Sequence, residues 1–489
     1  MIRQLVNTIF PKWIVRRKTL PMMMASKVRW VSSSQNTAIK DFEAYMNTED
    51  FKRSSKDSLL DLISSDDLRV DNELRVLDGL MLWVGFDHAN RSCHLTELLH
   101  HIRYPYTRSI SQPVYLSHIS QGHHEIKTLM AKEEAYRKLT YQKKLAHLQE
   151  SGIKSRQYDE VLVALPRHHK RYTESAMARC ELARQSFEYF DPSDSETVHR
   201  TDRNPYWQAE GDQFVAVQFL NNGMGVLALD DKDDLWLLDC HGNRSKISRP
   251  AGGGEERSGE TPHGKNIIQL GDCLYFFHYQ PRTMELSKIL QYNITTDEWQ
   301  TIKSPMDRYV CVSIATANGK IYTTSGAEPF LFAYDPQCSE WQTTVEQKPK
   351  HLLDSVTLSA IGKCVYILTL EFWPSQTDGR LFCFDTETGK RSVIFRDVVP
   401  TTSSRNKQNI LAAAMYNLNS CLIIPEVSNV TDSNTNSTLS AISAFHSYDP
   451  SLLKRTIFHG FPGRLNHHEF QFSNCWKFCL QNAKITTAA

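Results

Sequence analysis

At 489 residues the chain is longer than one ordinary hydrophobic core holds, so two or more folded units are expected. An apolar fraction of 40% with nine tryptophans argues for globular packing over disorder, and a formal net charge of +1 gives no whole-molecule field toward nucleic acid or membrane. Eleven scattered cysteines without a secretory h-region point to free thiols in a reducing compartment, and no run approaches the roughly 20 apolar residues of a membrane helix.

Residues 1–40 carry Arg3, Lys12, Arg16, Arg17, Lys18, Lys27, Arg29 and Lys40 before the first acid, Asp41. Leu5, Val6, Ile9, Phe10, Trp13 and Ile14 are interspersed, and Ser32-Ser33-Ser34 follow. This basic leader reads either as an unstructured extension or as a transit peptide addressed to mitochondria. From Asp41 to His147 the apolar residues recur at helical spacing. Leu59, Leu60, Leu62 and Ile63 form a short amphipathic helix that ends before Ser64-Ser65-Asp66-Asp67. Asp71 is then expected to cap a second helix, with Glu73 in its first turn and Leu74, Leu77, Leu80, Met81 and Val84 as its apolar stripe. A third helix carries Leu95, Leu98, Leu99 and Ile102 and is stopped by Pro105, and Lys127 to His147 reads as one last charged helix. The predicted organisation is a helical domain over 41–147 and a linker over 148–157.

Within this half, Phe42-Glu43, Phe51 and the run Ser58-Leu59-Leu60-Asp61-Leu62-Ile63-Ser64-Ser65-Asp66-Asp67-Leu68-Arg69-Val70 resemble the BACK domain of kelch-like proteins. So do Leu82-Trp83-Val84 and Leu98-Leu99-His100-His101-Ile102-Arg103-Tyr104-Pro105, in the same order. Relatives in that family begin with a BTB domain that dimerises and binds a cullin. Nothing before Asp41 resembles one, so the expectation is a BACK domain whose front is truncated. Because the family works outside organelles, the resemblance favours the unstructured reading of the leader and a cytoplasmic location.

From Tyr158 the texture changes to short apolar runs between turn residues, and an aromatic or apolar strand ending in an acidic turn recurs. Its copies centre on Phe190, Leu238, Tyr292, Tyr334, Phe384 and Tyr448, at intervals of 42 to 64 residues, around the kelch blade period of about 50. Six copies predict a closed ring of four-stranded blades over 158–480, with 481–489 as a tail. The stretch from Val312 to Trp341 resembles a kelch repeat, and Trp299 and Trp341 each stand seven residues after the aligned tyrosine. These aromatics are expected to be core between blades. Only Ser325-Gly326 approaches the glycine doublet usual in kelch repeats, so the propeller is divergent. The fold class is therefore multidomain: an α-helical BACK bundle followed by an all-β kelch propeller of about six blades.

Sequence offers little chemistry. Gly259 to Asn266 fits a phosphate loop except at its last position, where Asn266 stands in place of a hydroxyl, and it leads into a strand instead of a helix. The pairs His100-His101, His123-His124, His168-His169 and His467-His468 diverge by about 100° on a helix and lack a C-x-x-C to complete a zinc site; Cys475 and Cys479 have only Cys, Trp and Phe around them. Asn293, Asn429 and Asn436 fit the glycosylation pattern but read as polar turn sequence. No catalytic, metal or cofactor-binding residue is assigned, no cofactor is expected, and kelch-fold copper oxidases require ligands that cannot be mapped here.

The resemblance implies a protein-binding adaptor related to the substrate-recognition subunits of cullin–RING ubiquitin ligases, with its target held by propeller loops. The alternative is a kelch scaffold or cytoskeletal (actin-associated) interaction protein without ligase recruitment. Expected partners are a target protein and a cullin, with neither nucleic acid nor membrane. The loops expected to carry the target are Arg167 to Arg179, His241 to Gly264, Phe372 to Gly379 and Asn429 to Ser440.

Overall fold

The computed structural model describes residues 38–107, 124–156, 158, 160–166, 188–191, 198–200, 214–230, 234–248, 267–279, 286–305, 311–325, 331–345, 355–372, 377–396, 415–418, 420–431, 438–452, 454–459 and 470–476. The first part is helical: α1 (Phe42–Met46), α2 (Glu49–Lys52), α3 (Lys56–Ser64), α4 (Glu73–Phe86), α5 (His88–Arg91), α6 (Leu95–Leu99), α7 (His124–Arg137) and α8 (Tyr141–Ser151). Short polar caps set the starts. Thr48 accepts from the Phe51 amide, and Ser55 from the Ser58 amide. The stripe expected along α4 is its buried face, where Leu74, Leu77, Leu80 and Val84 pack with Phe42, Phe51, Ile63 and Leu98.

Three local expectations change. The cap of α4 is Asn72, whose backbone is extended and whose Oδ1 accepts from the Leu74 amide at 2.8 Å; Asp71 stands one residue too early and lies instead 3.8 Å from Arg75. The helix through Leu95 ends at Leu99, and Pro105 sits inside a separate 3-10 turn, Tyr104–Tyr106, while Ile102 is buried between them. The charged stretch from Lys127 to His147 is two helices. Thr140 adopts an extended conformation and accepts from the Lys143 amide, restarting the helix on a new face that buries Tyr141, Lys144 and Leu145.

The second part is six four-stranded antiparallel sheets. We name the strands of each blade a to d. Blade one takes a from the far end of the chain, Phe470–Trp476, and b, c and d from Glu160–Pro166, Glu188–Phe190 and Val198–Arg200. Its a and b strands pair without a slip from Glu160↔Trp476 to Pro166↔Phe470, which closes the ring and leaves no blade incomplete. Blades two to six follow in order over 215–246, 267–302, 311–345, 355–396 and 416–459.

The six aligned positions Phe190, Leu238, Tyr292, Tyr334, Phe384 and Tyr448 all fall on strand c and are all buried. The acid that follows them has a specific task. Oδ1 of Asp239, Asp335, Asp385 and Asp449 accepts backbone N–H groups of the c–d turn, at 2.8 to 3.1 Å, and Asn293 does the same in blade three. Trp299 and Trp341 lie opposite Tyr292 and Tyr334 across strands c and d, with ring centroids 4.9 and 5.1 Å apart. Each indole N–H also donates to a carbonyl just beyond the preceding blade, Ser248 at 2.6 Å and Lys303 at 2.8 Å. They are inter-blade ties as well as packing.

The turn carboxyls carry a pH dependence. Asp335 is held below the usual 3.8 by its hydrogen bond with Lys320 and then by the Gln337 amide, Asp385 by the Thr388 and Glu387 amides, and Asp449 by the Ser451 hydroxyl first. Because these folded values are depressed, the stability they add is complete above the unfolded pKa and is lost as pH falls through the folded values. The combined variant Asp335→Ala/Asp385→Ala/Asp449→Ala should melt below the parent at pH 7, and the gap should narrow below about pH 4. An unchanged gap in acid would show that the carboxylates contribute nothing through ionisation.

Candidate protein-binding face and the joint behind it

In an antiparallel blade the a–b and c–d turns open on one face, and the b–c turns and d–a links open on the other. On the first face the turns are short: Gly271-Asp272, Asn318-Gly319 and Gly362-Lys363 join a to b, and 240–243, 294–297 and 336–339 join c to d. The long connections, 167–187, 247–266 and 397–415, all join strand ends on the second face. The b–c hairpins of blades five and six belong there too, their strands pairing out to Phe372↔Thr377 and Thr431↔Thr438. The described strand ends that flank three of the four loop stretches expected to carry a target thus open on one face. Of the fourth, His241 lies on the opposite face, in contact with the helical domain. Residues 167–187, 249–266, 373–376 and 432–437 lie outside the described residues, and the phosphate-loop-like Gly259 to Asn266 falls within them.

Part of the short-turn face is occupied. Helix α8 lies against it at blades two and three. Lys144 Nζ is 2.7 Å from Asp239 Oδ2 and 2.9 Å from His241 Nδ1, with side-chain exposures of 4% and 1% for the lysine and aspartate. Asn221 donates to the Tyr141 hydroxyl at 3.0 Å, Asn243 to the Arg137 carbonyl at 2.7 Å, and Gln149 to Asp272. A cleft of about 450 Å³ remains beside this contact, lined by Tyr106, Tyr141, Lys144, Asn221, Met224 and Asp272. Burial drives the Tyr106 phenol up to about 12 against the lowering charge of Arg103, and burial raises Tyr141 likewise, so both are neutral in the physiological range.

A second contact fixes the segment between the two parts. Gly152, at φ +65°, ends α8 in the left-handed conformation and turns the chain back toward the bundle. Arg156 then enters it completely: Nε is 2.6 Å from Glu73 Oε1 with both side chains 0% exposed, and its other nitrogens donate to the carbonyls of Ser65 and His101. Tyr158 donates to the same Glu73 oxygen at 3.3 Å, and the Arg103 amide to Oε2 at 3.2 Å. Arg103 reaches the Lys154 carbonyl at 2.8 Å and Asp66 Oδ1 at 2.5 Å. Arg156, in the stretch expected to be a linker, and Tyr158, just beyond it, are thus built into the helical core. Glu73 was visible in sequence as a first-turn acid, but nothing in the sequence marked its partners.

Among the described residues no group of three or more metal-capable side chains gathers, the described cysteines carry free thiols, and no helix is long and apolar enough to cross a membrane. His100 is exposed, and His101 is lowered by burial and then by Arg156.

The family profile described as "BACK: BTB And C-terminal Kelch" matches residues 25–115, so the match begins inside the stretch composed like a leader. Kelch-like protein 25 of Homo sapiens is 35% identical over 106 residues, which cover 21% of this chain and 18% of that protein. The Xenopus laevis protein of that name is 41% identical over 70 residues, 14% of this chain and 12% of its own, and the Mus musculus one 42% over 62 residues, 13% and 10%. The matched part spans less than a fifth of these curated relatives. A solved chain from a nidogen/laminin complex aligns at 12% identity and a TM-score of 0.36, over 65% of this chain and 98% of that one, too distant to bear on function. A BACK helical domain followed by a six-bladed β-propeller defines a propeller protein of the BACK type. Residues 25–115 of the chain are similar to the BACK domain of kelch-like proteins.

Proposed function

We propose that the chain is a protein-binding adaptor: the long-connection face of the propeller takes a target protein, and the helical domain presents it to a second protein. The observation that carries this reading is the asymmetry of the two faces. One is covered by α8 at blades two and three through buried contacts, while the strand ends that bear the long, mutually dissimilar connections are gathered on the other. A rigid ring with variable loops on one face suits recognition of a protein surface. The family likeness supports the finer assignment, a cytoplasmic substrate-recognition subunit of a cullin–RING ubiquitin ligase, and binding in place of catalysis.

The test is affinity capture from cytosol with the full chain, compared with a chain whose connections 167–187 and 397–415 are replaced by short Gly-Ser links. The expected result is a set of proteins captured by the first and lost from the second, with cullin recovered by both. Target capture without cullin would move the assignment to a scaffold. Equal capture by both chains would remove the loop face from the reading altogether.

A further inference from the structure

Six blades share one design, so the question is why the helical domain sits on blade two. The answer lies in the strand-b position opposite the acid that ends strand c. In blade four that position is Lys320, one step past the pair Ile321↔Tyr334, and its Nζ is 3.0 Å from Asp335 Oδ2. In blade five Cys364 faces Asp385, with Lys363 beside it at 3.9 Å. Blade three has Cys273 opposite Asn293; blade six has Cys421, and blade one has Val161, by one step from Leu422↔Tyr448 and Leu162↔Phe190. In blade two the residue is Gly225, opposite Asp239. Blade two alone of the six has no side chain there.

That vacancy is filled by α8. A Cβ built on Gly225 would lie 2.5 and 2.6 Å from Cε2 and Cζ of the Tyr141 ring. Three residues on, one helical turn along the same face, Lys144 delivers its ammonium to Asp239 Oδ2 at 2.7 Å, the oxygen that faces a lysine in blade four. The other oxygen of Asp239 keeps its turn amides, as in the other blades. The glycine is not there for backbone reasons, since Gly225 is absent from the positive-φ residues of the chain.

We propose that Gly225 and Asp239 are a docking address on blade two, read by Tyr141 and Lys144, with Lys144 taking the role that Lys320 plays within blade four. The helical domain is seated by this site, and the other five blades exclude it because a side chain occupies the place of the Tyr141 ring. Tyr141 and Lys144 are positioning residues: through them the covered face is chosen, and with it the direction in which the open face points.

The experiment is hydrogen exchange on the full chain, read separately for amides of 141–151 and of blade two. Gly225→Lys places the lysine of blade four at this position and blocks the ring. Exchange over 141–151 should rise about tenfold or more while blade two stays protected. Unchanged protection of 141–151 would overturn the proposal. A thermodynamic cycle guards against a damaged blade. Gly225→Ala alone should loosen α8, whereas adding it to Tyr141→Ala should cost nothing further, because the ring it strikes is gone. Additive losses would show that Gly225 matters only within its own sheet, and would sink the address without touching the target-binding reading.

Discussion

Replacing Glu73 by alanine is expected to lower the stability of the helical domain by about 3–5 kcal/mol, the usual cost of leaving one member of a buried ion pair without its partner. The reason is what remains. Arg156 keeps its charge and its place in the core, 0% exposed, with two carbonyls for company and no anion. Tyr158 loses an acceptor, and the Arg103 amide loses another. Replacing both members by apolar residues of similar volume, Glu73→Leu with Arg156→Met, should cost less than either single change. Urea titration followed by the helical signal in circular dichroism reads this, since α1 to α8 all belong to this part. A single-variant loss below about 1 kcal/mol would mean the pair is screened or rearranged, contrary to its burial.

A second consequence concerns the passage between the two parts. Arg156 and Tyr158 lie just before the first propeller strand, so freeing them should expose 152–158 to protease while the blades stay resistant. Cleavage there in Glu73→Ala, at a rate well above the parent, is the matching observation.

Much of this was legible because it is periodic. The stripe along α4 and the six strand-c positions, five of them aromatic, repeat at intervals imposed by helix and blade geometry, so spacing alone located them. The acid or asparagine after each was legible as a pattern, though its cause, acceptance of the turn amides, needed coordinates. What stayed hidden is what happens once. Arg156 pairs with Glu73 across 83 residues and Lys144 with Asp239 across 95, and no local rule links positions so far apart. The break at Thr140 was hidden by composition: Lys127 to His147 is helix-forming throughout, and only the cap decides that it is two helices with two buried faces. Nothing local in the sequence marks Gly225, and its meaning appears only against the side chains at the same place in the other blades.

The ring closure supplies the other large effect. Ending the chain at Glu469 removes the strand that completes blade one, and with it all seven residue pairs from Glu160↔Trp476 to Pro166↔Phe470. Val161, Val163 and Leu165 on the facing strand are 0% exposed, and losing that cover on one side would leave an open sheet edge beside an unsealed seam between the first and last blades. The expected loss is several kcal/mol, comparable with the total stability of a typical domain, so the propeller should lose cooperative unfolding instead of merely melting earlier. The helices share one buried cluster with Val161, Val163 and Leu165 but also pack on one another through Phe42, Phe51, Ile63 and Leu77, so most of the helical signal in circular dichroism should persist. A synthetic peptide of residues 470–489 supplied during refolding should restore the cooperative transition, because the missing piece is a single strand with a fixed register. If the shortened chain unfolds as cooperatively as the parent, blade one is complete without the far strand, and the ring is closed by packing alone.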